Sequence, residues 1–137
     1  MKKIFFTLIL FCTYIYASDI YELKLYEKIL SSVFIKTPIR IYADQDTKEI
    51  LKNSSKFIIM NNCSSAVVVL VGKNFDDISR ECTNKPIFAT NYRTYKSLKN
   101  SFGAFYWRKG RPQLRFRQKA IDRLHLSLPD SLQKYVQ

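Results

Sequence analysis

The sequence predicts an α/β fold: a small sandwich with a mostly parallel sheet, helices on both faces and a C-terminal β-hairpin. Three observations predict it. Short β-branched runs alternate with stretches of helical spacing. The run from Ala66 to Gly72 is almost wholly apolar, as a strand covered on both faces reads. Two alternating segments, Gly103–Trp107 and Gln113–Arg117, flank Lys109-Gly110-Arg111 and read as a hairpin with a Gly-containing turn.

The elements follow in order. From Asp19 to Ser32 the spacing of Ile20, Leu23, Leu25, Tyr26, Ile29 and Leu30, continued by Val33 and Phe34, approximates a helical apolar face, with Asp19 as N-cap. Pro38 directs Thr37 to an extended conformation, and Ile39–Ala43 follows as a strand. Asp44 and Asp46 offer N-caps for a helix through Ile50 and Leu51, which Asn53-Ser54-Ser55 ends. Lys56–Met60 and Ala66–Gly72 read as strands, Asn74–Glu81 as a short helix, and Lys85–Thr90 as another strand. Tyr92–Asn100 is helical and polar. After the hairpin, Gln118–His125 forms a helix, Leu128-Pro129 a break, and Asp130–Val136 a last short helix capped by Asp130. There are no repeats or linkers, so residues 18–137 are expected to form one domain of about 120 residues, enough to bury a core.

Residues 1–17 have the pattern of a signal peptide. Met1-Lys2-Lys3 is a positive start, Ile4–Ile15 an apolar run, and Tyr16-Ala17-Ser18 a cut site with a small residue before the bond. The run is too short to span a bilayer, which takes about 20 apolar residues. Ile15 is large for the −3 position, which leaves a retained anchor as the alternative. Cys12 follows Phe11 where a lipoprotein site needs a small residue, so lipidation is excluded. The expected location is the periplasm.

Charge is distributed unevenly. Residues 18–83 carry nine Lys or Arg and nine Asp or Glu; residues 84–137 carry twelve basic residues and only Asp122 and Asp130 as acids. Such asymmetry points to an anionic partner. An exported protein meets little nucleic acid, so that partner class is set aside. What remains is an acidic envelope protein, the periplasmic domain of an inner-membrane protein, or anionic lipid and lipopolysaccharide phosphates; a basic surface that only confers solubility is the plainer reading. The C-terminal cluster is rich in arginine, which forms bidentate contacts that lysine cannot. Arg108, Lys109 and Arg111 fall at the hairpin turn. Arg115 and Arg117 alternate with Leu114 and Phe116, so in a period-two strand they share one face. The five are expected to form a solvent-facing, partner-binding stripe with no part in folding.

Two cysteines remain beyond the leader, Cys63 and Cys82. An even count in an oxidising compartment favours a disulfide over two buried thiols. No metal site is expected, because their spacing fits no knuckle and His125 is the only histidine. No cofactor is expected either: the three glycines, Gly72, Gly103 and Gly110, make no phosphate loop. Adjacent Asp76 and Asp77 face different ways on a helix and do not form a carboxylate pair. Nothing in the sequence supports an enzyme.

Cys63 before the strand Ala66–Gly72, the segment Lys85-Pro86-Ile87-Phe88-Ala89-Thr90, the stretch Gly103–Phe116 and the finish Leu124-His125-Leu126-Ser127-Leu128 together resemble the YfiR/HmsC-like family of periplasmic proteins. The similarity covers roughly residues 39–128 and is strongest over 85–128. This chain departs from the family in its shorter length and its far more basic hairpin. The resemblance implies a non-enzymatic regulator that restrains an inner-membrane diguanylate cyclase, in c-di-GMP signalling, through protein contact. The rival expectations are a binding module for an anionic ligand or envelope lipid, and a structural accessory of a secretion or motility machine.

Overall fold

The computed structural model describes residues 20–73 and 80–137. The proposed leader, residues 1–17, and most of the helix expected over Asn74–Glu81 lie outside them, as does the Asp19 cap. Six strands form one sheet: β1 (Ile39–Ala43), β2 (Phe57–Ile59), β3 (Val68–Val71), β4 (Ile87–Ala89), β5 (Gly103–Arg108) and β6 (Arg111–Phe116), in the order β2-β1-β3-β4-β5-β6. The first five are parallel, and β6 returns antiparallel to β5. Helices are α1 (residues 20–33), α2 (Gln45–Leu51), α3 (Tyr92–Ser97) and α4 (Gln118–Arg123), with 3₁₀ turns at Arg80–Asn84 and Asp130–Tyr135. The expected mixed sheet with a C-terminal hairpin is the observed one.

Strand alternation divides the core into two sides. On one, Tyr26, Ile29, Leu30 and Val33 of α1, at helical spacing, pack with Ile39 and Ile41, Val68 and Leu70, Phe88, Phe105, Phe116, and Ala120 and Ile121 of α4. On the other, Val69, Val71 and Ile87 enclose the sulfurs of Cys63 and Cys82. Beside them Tyr95 of α3 packs on Ala89, Ala104 and Tyr106. All four residues of β3 are buried, which accounts for its unbroken apolar run. Cys63 and Cys82 are joined as a disulfide with a Cα–Cα distance of 5.2 Å, within the range the bond requires. Burial in a six-stranded sheet of β-branched and aromatic residues is the main stabilising term, at about 25 cal/mol per Å² of apolar surface.

Several caps differ from expectation. Asp44 occupies the N-cap of α2, but its side chain makes no capping bond. Pro129 occupies the N-cap position of the last 3₁₀ turn, with no side-chain capping bond, and Asp130 is its first residue. Asn91 caps α3: its Oδ1 accepts the Thr94 N–H at 2.8 Å. His125 has a φ of +54° just past α4. The Leu126 N–H donates to the Ile121 carbonyl and that of His125 to Asp122, so the histidine serves a Schellman-type helix stop. Among the described residues, no helix is long and apolar enough to cross a membrane.

A basic cleft between the hairpin and the third helix

The hairpin register fixes which side chains share a face. Arg108 pairs with Arg111, Tyr106 with Gln113 and Ala104 with Arg115. Phe105 and Trp107, with Leu114 and Phe116, therefore face α1 and α4. Tyr106 and Arg108, with Arg111, Gln113 and Arg115, face α3. Lys109 and Gly110 form the two-residue turn with φ of +51° and +74°, the positive values that a type I′ hairpin turn demands. Glycine meets that demand freely; lysine does so at a steric cost.

The expected stripe of five cations is not uniform. Arg108, Lys109 and Arg111 are exposed at the tip, as read from the sequence. Arg115 is only half-exposed, and its Nε donates to the Tyr106 hydroxyl at 2.8 Å. Arg117 corrects the expectation outright. It is the residue before α4 rather than part of β6, and its guanidinium is bound into the fold. Nη1 donates to the carbonyls of Leu98 at 2.8 Å and Ser101 at 3.2 Å and to the Ser101 hydroxyl; Nη2 donates to the Tyr95 carbonyl. Its guanidinium carbon lies over the Tyr95 ring, 3.8 Å from the ring centre. The last carbonyls of a helix lack intrahelical donors, and Arg117 supplies donors to the end of α3 from just past the end of β6. The expectation failed because these acceptors are backbone atoms, about which the side-chain sequence says nothing.

Where α3 crosses the root of the hairpin, a cleft of about 610 Å³ opens. Lys96, Lys99, Arg115, Arg117, Lys119, Tyr92, Tyr95 and Gln137, the last residue of the sequence, line it; among the described residues no Asp or Glu side chain does. Burial pushes the Tyr95 phenol up, against the opposing pull of Arg117 and Arg115, so the ring stays neutral at physiological pH. The described lining therefore combines five cations with aromatic surface, a combination that attracts an anion. The sequence did not single out Lys96, Lys99 and Lys119. The first two fall in the segment expected to be helical and polar; Lys96 is in the last turn of α3 and Lys99 lies just beyond it, and the tertiary packing of this segment beside the hairpin root brings them to Arg115.

A second, smaller cavity of about 160 Å³ lies at the C-terminal ends of β1, β3 and β4, where the strand order reverses and α/β sheets bind ligands. Asp44, Asp46, Thr47, Lys73 and Thr90 border it, and a Cβ on Gly72 would run into the Asp44 carboxylate. Among the described residues, no group of three or more His, Cys, Asp or Glu is placed to hold a metal ion.

No protein-family model matches the chain, and no curated protein does. Among solved structures, the chain is similar to a conserved domain protein from Vibrio cholerae O1 biovar El Tor strain N16961, with a TM-score of 0.60 over 83% of this chain and 58% of that one. At 7% identity, what the two chains share is the α/β fold, and this chain spans little more than half the length of that neighbour.

Proposed function

We propose that the protein is an exported, non-catalytic binding module that recognises an anionic group in the cleft between α3 and the hairpin root. One observation carries this reading: five cations converge on a cleft that, among the described residues, no Asp or Glu side chain lines. Export is supported by the leader pattern and by the disulfide, which belongs to oxidising compartments. The bearer of the anion in the envelope is an acidic segment of a protein or a small phosphate or carboxylate compound. A regulator of the kind the YfiR/HmsC-like resemblance implies would meet the first.

The arginines of the cleft are held in place before any ligand arrives. Arg115 is fixed by Tyr106 and Arg117 by four acceptors, so little side-chain entropy remains to be lost on binding. Lys96, Lys99 and Lys119 are exposed and adjust around the ligand.

Titration of isotope-labelled protein with inorganic phosphate and, separately, with an oligo-glutamate peptide tests the reading. Amide shifts should gather on α3 and residues 115–119, and weaken as salt rises. The triple change Lys96→Gln, Lys99→Gln, Lys119→Gln should remove them without altering the melting temperature. Shifts scattered over the whole surface, or unchanged in the triple variant, would overturn the proposal.

A further inference from the structure

The opposite end of the hairpin carries a different combination. Trp107 is 42% exposed, and its ring centre lies 6.2 Å from that of Tyr21, itself 51% exposed; Ile20 beside it is 39% exposed. Arg108, Lys109 and Arg111 stand at the same end, exposed, and none forms an ion pair among the described residues. Amphipathic rings beside a group of cations match the interface of an anionic bilayer: Trp and Tyr settle at head-group depth, while Lys and Arg meet the lipid phosphates. Lys109 also holds a positive φ, at a place where Asn would be relaxed.

We infer that the hairpin tip, together with the start of α1, docks on the surface of an anionic phospholipid membrane. The order of the chain agrees. Ile20 and Tyr21 come five and six positions after Ile15, where the apolar run of the leader ends. The end of the domain that follows the leader is thus the end bearing Trp107 and the three cations. A leader kept as an anchor would hold this tip against the bilayer; a cleaved one leaves the tip to bind reversibly. The surface is distinct from the cleft, which lies at the other end of the hairpin, and the inference stands whether or not the cleft binds an anion.

Trp107 is the only tryptophan, so its fluorescence reports on the tip alone. The buried residues of the described core clusters lie between Tyr26 and Ile121; a cooperative melting curve first establishes that the chain from Ser18 onward is folded. With that chain, vesicles of mixed phosphatidylglycerol and phosphatidylcholine should shift the emission to the blue, and lipids brominated near the head group should quench it. Pure phosphatidylcholine vesicles should do neither. Arg108→Gln, Lys109→Gln, Arg111→Gln should weaken vesicle binding on the order of a hundredfold, with the melting curve confirming an intact fold. The Lys96, Lys99, Lys119 triple variant should bind as the parent does. No blue shift, an equal shift on neutral vesicles, or binding lost in the cleft variant and kept in the tip variant would each overturn the inference; the last would assign the lipid phosphate to the cleft instead.

Discussion

Arg111 and Arg117 lie six positions apart, the first opening β6 and the second just past its end. The first is exposed beside the turn and faces Arg108 across the ladder. The second lies against the Tyr95 ring and donates to acceptors on Tyr95, Leu98 and Ser101. The same residue type therefore performs opposite tasks: one joins three parts of the fold, the other places charge at the surface. Arg115 lies between them in position and in role, with one donor bound to Tyr106 and the rest of its guanidinium turned to the cleft. A cluster of arginines in a sequence shows where positive charge is concentrated. Which members are available to a partner depends on what each one touches.

That gradient can be broken first at its root. Arg117→Gln removes a charged donor from several carbonyls and exposes the end of α3. Charge-assisted bonds are worth about 1.5–3 kcal/mol each, and the orphaned acceptors add their desolvation cost. Destabilisation on the order of 3 kcal/mol is expected, read as a fall of roughly 10 °C in melting temperature for a domain of this size. Lysine at 117 keeps the charge but cannot reach acceptors on both α3 and Ser101, so it should restore only part of the loss. A melting temperature within about 1 °C of the parent would show that the network contributes nothing.

A smaller effect should appear at the middle position. Arg115→Gln leaves the Tyr106 hydroxyl without its donor, and Tyr106 is buried. The expected cost is about 1 kcal/mol. Tyr106→Phe removes the other partner, and the double variant should show the two changes to be non-additive by a similar amount. Full additivity would mean that the bond is incidental and that Arg115 is a cleft residue alone.

How much was legible beforehand follows the same division. The strands are legible because β-branched runs and period-two alternation are local properties; Val68–Val71 and Ile87–Ala89 lie within the expected runs, and the hairpin is present, with its returning strand starting at Arg111 rather than Gln113 and ending at Phe116 rather than Arg117. The turn was legible because Gly110 follows a charged residue between two alternating segments. Helix ends were less so: α3 closes at Ser97, three residues before the expected Asn100, because Leu98 leaves the helical region. The Cys63–Cys82 pair needed only an even count and a compartment. The cleft was half legible. Arg115 and Arg117 are legible as cations, but their lysine partners come from α3, the turn after it and α4, which no local pattern ties to β6, and the structural use of Arg117 depends on backbone carbonyls about 20 residues away in sequence.

The smallest effect, and the one whose sign separates the two ends, belongs to the tip. Arg108 and Arg111 are directly opposed beside the turn, and like charges so placed repel across the ladder. Arg111→Gln removes that repulsion and breaks no hydrogen bond described for the fold. It should therefore stabilise the domain slightly, by a few tenths of a kcal/mol at low ionic strength. Added salt screens the repulsion, since the Debye length falls to about 8 Å at physiological ionic strength, so the gain should vanish as salt is raised. The Arg117 variant should stay destabilised across the same range, because hydrogen-bond geometry is not screened away. Chemical denaturation of both variants at about 0.02 M and 0.5 M salt makes the comparison. If Arg111→Gln instead destabilises the domain at every salt concentration, the tip arginine supports the fold as its counterpart at the root does, and the hairpin no longer divides into a structural end and an end free for contact.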